Sequence, residues 1–203
     1  MLLTETTTVA AEALPVAAFR AHLRLGTGLA DETLQDGLLE AHLRAALAAI
    51  EGRTGKVLLA RDFLLRLTAW RGEGAEQALP VAPVTAVASV TVLDAGEEAV
   101  VIDPSRWRLI RDLHRPRLAA KGTGYLPAVP CGGAVEIAFT AGFGPDWAAV
   151  PADLQQAVFL LAAQYHEARH EGGFAEGATM SFGVQGLIER WRTVRLLAGR
   201  EGA

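Results

Sequence analysis

The residues best placed to do chemistry are His166-Glu167-Ala168-Arg169-His170, which fit the pattern H-E-x-x-H. Residues four apart share one helix face, so both imidazoles can hold a single zinc ion while the glutamate activates its bound water. Glu176 stands downstream as a third ligand, with Gly173 between and Met180 beyond. Taken alone, this predicts a zinc-dependent metallopeptidase using His166, Glu167, His170 and Glu176. Three features weigh against it. Metzincins carry His or Asp where this chain has Glu176, their Met-turn lies much further along, and no His follows His170. A chain of this His and Glu content meets the pattern by chance about once in a hundred. The competing reading is a polar helix end, where His and Arg suit the negative pole of the helix dipole. On that reading there is no metal, no cofactor and no catalytic residue.

The other reactive side chains form no recognisable site. Ser89, Ser105 and Ser181 lie in no Gly-x-Ser-x-Gly elbow. Gly142-Phe143-Gly144 lacks the lysine of a phosphate loop and reads as a turn. His22 and His42 have no ligand partners at metal spacing. His114 sits among Arg111, Arg115 and Arg117, a basic cluster that reads as a solvated loop rather than a phosphate site. Trp191 with Arg190, Arg192 and Arg195 is the most interface-like group, since Trp and Arg are over-represented at binding hot spots. The alternative is that Trp191 packs the last helix onto the core.

The elements that must position these residues change character along the chain. Residues 1–13 show no pattern and read as a flexible arm. Leu14-Pro15-Val16 opens a short helix through Leu25. Asp31 caps a longer one, with Leu34, Leu38, Leu43, Leu47 and Ile50 at helical spacing and Gly55 as the stop. Gly37 inside it reads as a close helix contact. Strands are expected over Val57–Trp70, Val84–Leu93, Ala99–Ile102, Trp107–Ile110 and Val135–Thr140, kept short by Pro80, Pro83, Pro104 and Pro116. Helices return as Asp153–His170, apolar almost all round, and as a last helix from about Val184 to Ala198. The predicted class is α+β: a small helical core from 14–56 and 150–198, a β-rich insertion over 57–149, and a short tail over 199–203.

The totals narrow the function. With 203 residues, 51% hydrophobic and 21% charged, the chain can bury a real core. A net charge of -4 argues against a general nucleic-acid binder. It does not exclude a wall that DNA slides past. One cysteine, Cys131, rules out an internal disulfide framework. Neither a signal peptide nor a transmembrane run of about 18 apolar residues is visible, so a soluble protein made inside a cell is expected.

Several motifs occur in a telling order: Leu14-Pro15-Val16, Ala21-His22-Leu23-Arg24-Leu25, then Glu51-Gly52-Arg53-Thr54-Gly55-Lys56 closing the second helix. Leu79-Pro80-Val81-Ala82-Pro83-Val84 leads into a strand, and Phe139-Thr140-Ala141-Gly142-Phe143-Gly144 precedes Val150-Pro151. The Gln155–Glu171 helix and Phe182-Gly183-Val184 complete the series. From about Leu14 to Leu197 the chain resembles the head–tail connector (adaptor) proteins of long-tailed phages and gene transfer agents, in the longer branch with a β-rich insertion. Trp107 stands where that family more often has Tyr. The resemblance implies no reaction. It implies a ring of copies, twelve-fold like the portal, lying beneath the portal protein at the head–tail junction and assembled in the host cytoplasm. A stopper or terminator protein would meet it on the tail side, and DNA would pass through the lumen without sequence-specific binding. The resemblance makes H-E-x-x-H a coincidence on a structural helix. It suggests that Arg190, Trp191, Arg192 and Arg195 engage the portal.

Overall fold

The structure is a computed structural model that describes residues 1–25, 32–71, 74–122, 124–168 and 180–192. It is α+β, with two apolar cores that meet along one stretch of chain. Among the described residues, no helix is long and apolar enough to cross a membrane.

The helical core joins α1 (Val16–His22), α2 (Glu32–Thr54), α3 (Ala152–Ala168) and α4 (Phe182–Ile188). Phe19, Leu39, Leu43 and Ile50 pack against Leu154, Val158 and Leu161 of α3 and Val184 and Ile188 of α4. α2 stops where expected. Gly55 takes φ 67°, a conformation that suits glycine, and its N–H bonds Glu51 O at 2.8 Å. The close contact expected at Gly37 is not there, since a Cβ on it would meet nothing within 4 Å.

The second core lies between two antiparallel sheets. One has the order β1 (Leu2–Glu5), β2 (Arg61–Leu67), β8 (Ala134–Ala141), β4 (Val84–Leu93), β5 (Ala99–Val101). The other has the order β3 (Glu76–Ala78), β7 (Arg117–Ala120), β6 (Trp107–Ile110). Alternate residues of β2 and β8 point inward, so Phe63, Leu65, Ile137 and Phe139 meet Leu118 and Trp107 from the smaller sheet. Val57 belongs to this core and the next two residues, Leu58 and Leu59, to the helical one. The chain therefore crosses between cores within three residues.

Two expectations are corrected. Residues 1–13 are not patternless throughout: Leu2–Glu5 pairs with β2, Leu3 opposite Leu65 and Glu5 opposite Phe63. An edge strand with one face to solvent leaves little hydrophobic signature, because its backbone makes the contact. The last helix is also shorter than expected. α4 ends at Ile188, a single 3-10 turn covers Glu189–Trp191, and Arg192 is extended. The stretch to Ala198, like the tail over 199–203, lies outside the described residues.

Candidate functional site

The interface-like residues sit where α4, the start of α3 and the hinge after β8 converge. Ser181 caps α4, accepting from Val184 N at 3.5 Å. One turn past the helix, Trp191 turns inward and is only 6% exposed. Its Nε1 donates to Asp153 Oδ2 at 2.6 Å, and Phe143 of the hinge meets its ring edge-on at 5.5 Å. Arg190 donates from Nε to the same Oδ2 at 2.7 Å, with its guanidinium carbon 4.7 Å from the Trp191 ring centre. Burial pushes the Asp153 carboxyl up. The hydrogen bonds from Arg190 and Trp191, with the Arg190 charge, outweigh that and hold it below the ordinary carboxylate range.

Trp191 is thus a core residue that fastens the last segment to α3. Arg190 and Arg192 are exposed around it, Arg192 bridged to Glu189 at 3.0 Å. Arg195 lies outside the described residues. Asp153 carries this arrangement and was not singled out in the sequence, where an acid in a helix's first turn looks like ordinary dipole compensation.

The hinge is held by backbone. Gly142 N–H donates to Pro83 O at 2.9 Å, Phe143 N–H to Leu58 O at 3.2 Å, and Ala60 N–H to Gly144 O at 2.8 Å. Gly142 takes φ 135°, and a Cβ there would lie 2.4 Å from Ala60 Cα. Only glycine allows this approach.

Of the H-E-x-x-H residues, His166 lies on α3 with its ring edge-on to His42 of α2, centroids 5.7 Å apart, inside a helix–helix contact. Glu167 is exposed; His170 and Glu176 lie outside the described residues. Among the described residues, no three His, Cys, Asp or Glu side chains are grouped to hold a metal ion.

The basic loop is tied into the fold. Asp112 accepts from the N–H groups of His114 and Arg115, each at 2.7 Å. Arg111 reaches Thr85 O at 2.8 Å, and Arg117 bridges Glu76 at 2.5 Å. Behind the loop, Lys56 is 1% exposed with Nζ 3.2 Å from His114 Nδ1. Burial pulls the Lys56 ammonium down, Asp112 partly offsetting it, and burial with the Lys56 charge pulls His114 down. No local pattern marks this pair, whose members lie 58 positions apart in the chain.

These groups fasten the chain's own segments to one another within an α+β fold. The chain is similar to one in the neck of an empty GTA particle computed with C6 symmetry. Identity is 56%, TM-score 0.88, covering 98% of this chain and 100% of that one. It is also similar to a chain in the virion of a native gene transfer agent (GTA) particle, at 56% identity, TM-score 0.85 and the same coverage. A third match, in the neck of a native GTA particle computed with C12 symmetry, has 52% identity and TM-score 0.83. No family model and no curated protein matches. The chain belongs to the head–tail connector (adaptor) family of long-tailed phages and gene transfer agents.

Proposed function

We propose that this protein is a neck subunit of a gene transfer agent or related phage-like particle, joining the head to the tail. The observation that carries this is the 56% identity, over 98% of this chain and all of the other, to a chain in a GTA neck. Several copies form a closed ring, a reading supported by the C6 and C12 symmetries with which those necks were computed. A ring of this kind needs head-to-tail contacts that close by rotation. The role is assembly, and none of its steps calls for a reaction.

The finer reading concerns partners. The ring lies beneath the portal protein, continues the DNA channel, and meets a stopper or terminator protein on the tail side. The cationic end of the chain, Arg190 and Arg192 with Arg195 further on, faces the portal. Trp191, buried against Asp153, holds Arg190 and Arg192 in place beside α3. The acidic balance, -4 overall, suits a lumen through which DNA passes without sticking. Deleting this chain from a particle-producing cell is expected to leave DNA-filled heads and separate tails. Intact tailed particles in normal yield would overturn the reading.

A further inference from the structure

The five-stranded sheet ends in two bare edges, β1 and β5, each paired on one side only among the described strands. Eight large apolar side chains stand exposed among the described residues, and four of them gather at these edges. Met1 (59%) and Leu2 (61%) lie at one edge, and Val100 (59%) and Val101 (67%) at the other. Edge strands that must stay unpaired are usually very short or carry charge, proline or a covering segment, and β5 is protected by its length alone. β5 reads Ala99-Val100-Val101.

The register links the two edges. Leu2 lies opposite Arg66, Arg66 opposite Glu136, Glu136 opposite Thr91, and Thr91 opposite Val101. One transverse row therefore begins at Leu2 and ends at Val101, with both side chains on the same face. The adjoining row runs from Leu67 through Val135 and Val92 to Val100. The first row finishes in exposed apolar groups at both ends, and the second finishes in one at Val100. Every neighbouring pair in the sheet is antiparallel. With five strands, β1 and β5 must then run in the same direction.

We propose that β5 of one copy pairs with β1 of the next, Val101 opposite Leu2, so that the sheets join edge to edge around the ring. This rests on the ring reading above. A heterologous contact needs two different, complementary patches on opposite sides of one subunit. The two ends of one sheet supply them. Copies related by rotation keep their strand sense when the strands run along the ring axis, so the junction is parallel in an otherwise antiparallel sheet. The proposed register sets Val101 on Leu2, Ile102 on Leu3 and Asp103 on Thr4. Of this register only the pair Val101 and Leu2 lies within β5 and β1, and so short a parallel pairing buries well under the roughly 1,000 Å² that a stable two-body interface needs. The junction therefore closes a ring held by further contacts and does not dimerise free copies.

The test uses the full chain in particles purified from a producing cell. Leu2→Cys and Val101→Cys are combined in a Cys131→Ser background. Neighbouring strands lie about 4.7–4.9 Å apart, so opposed side chains come close enough to bridge after a small shift. Mild oxidation is expected to give a ladder of disulfide-linked multimers from assembled necks and none from free protein. Separately, Val101→Lys is expected to lower neck assembly about tenfold with an unchanged unfolding midpoint, and adding Leu2→Glu to restore it to within about twofold. Rings seen by electron microscopy in normal yield with Val101→Lys, and without 2–101 bridges, would overturn the edge pairing and leave the connector reading standing. Absence of the wild-type chain from any ring would overturn the connector reading itself.

Discussion

Asp153→Ala tests the fastening of the last segment. The substitution removes one oxygen that accepts from Trp191 Nε1 at 2.6 Å and Arg190 Nε at 2.7 Å. The two partners are not worth the same. The Arg190 side chain is 69% exposed, so its half contributes at most about 1 kcal/mol. Trp191 is 6% exposed and its N–H cannot turn to water. A hydrogen bond from such a donor to a carboxylate contributes about 1.5–3 kcal/mol. Loss of an acid from the first turn of α3 adds about 0.3–1 kcal/mol. These terms share an atom and do not add fully, so about 2–4 kcal/mol is expected for Asp153→Ala and under about 1 kcal/mol for Arg190→Ala. Urea unfolding at neutral pH, followed by circular dichroism, measures both. Trp191→Phe keeps a ring and removes the N–H, so a double-mutant cycle with Asp153→Ala should give about 1–2 kcal/mol of coupling. A loss below about 1 kcal/mol with coupling near zero would refute the reasoning. The pH dependence has a definite sign. The folded carboxyl lies below its unfolded value of about 3.9, so its contribution is full above about pH 4 and drains away as pH falls through the folded pKa. The gap between wild type and Asp153→Ala should hold from pH 7 to about pH 4 and narrow below it.

Two glycines should respond in opposite directions. Gly142→Ala forces a Cβ to within 2.4 Å of Ala60 Cα at φ 135° and should cost more than about 3 kcal/mol or prevent soluble expression. Gly37→Ala, on an open face of α2, should gain about 0.5–1 kcal/mol in the same unfolding assay. Lys56→Met replaces a buried cation with an apolar side chain of similar length, so stability at pH 7 should be unchanged or raised by about 1–2 kcal/mol. Because burial holds the folded Lys56 ammonium below its unfolded pKa of about 10.4, the wild type should gain stability as pH rises toward about 10. That gain should disappear in Lys56→Met when midpoints are compared at pH 7 and pH 10.

Much of the fold was legible in the sequence where turns and prolines punctuate it. The expected strands Val84–Leu93 and Trp107–Ile110 are the observed β4 and β6, because prolines and a tight turn mark their ends. β3 and β7 were missed because three or four residues carry no readable alternation. β1 was missed because its pairing is through the backbone. The last helix was overextended because Val184, Leu187, Ile188 and Trp191 keep helical spacing while the backbone tightens to a 3-10 turn after Ile188. The site was less legible. Whether Trp191 faces a partner or its own core depends on Asp153, which lies 38 positions earlier in the chain. Local pattern cannot report such a contact. The same holds for Lys56 and His114, brought together across 58 positions.

This chain is a component of the neck of a phage-like particle. Cryo-electron microscopy of particles from a producing cell, with the neck reconstructed under cyclic symmetry, tests it most directly. Density between head and tail is expected to fit one copy of this α+β chain per repeat of a closed ring, with Trp191 against Asp153 in every copy. A neck built wholly from other chains, with this protein elsewhere in the particle or absent from it, would contradict it.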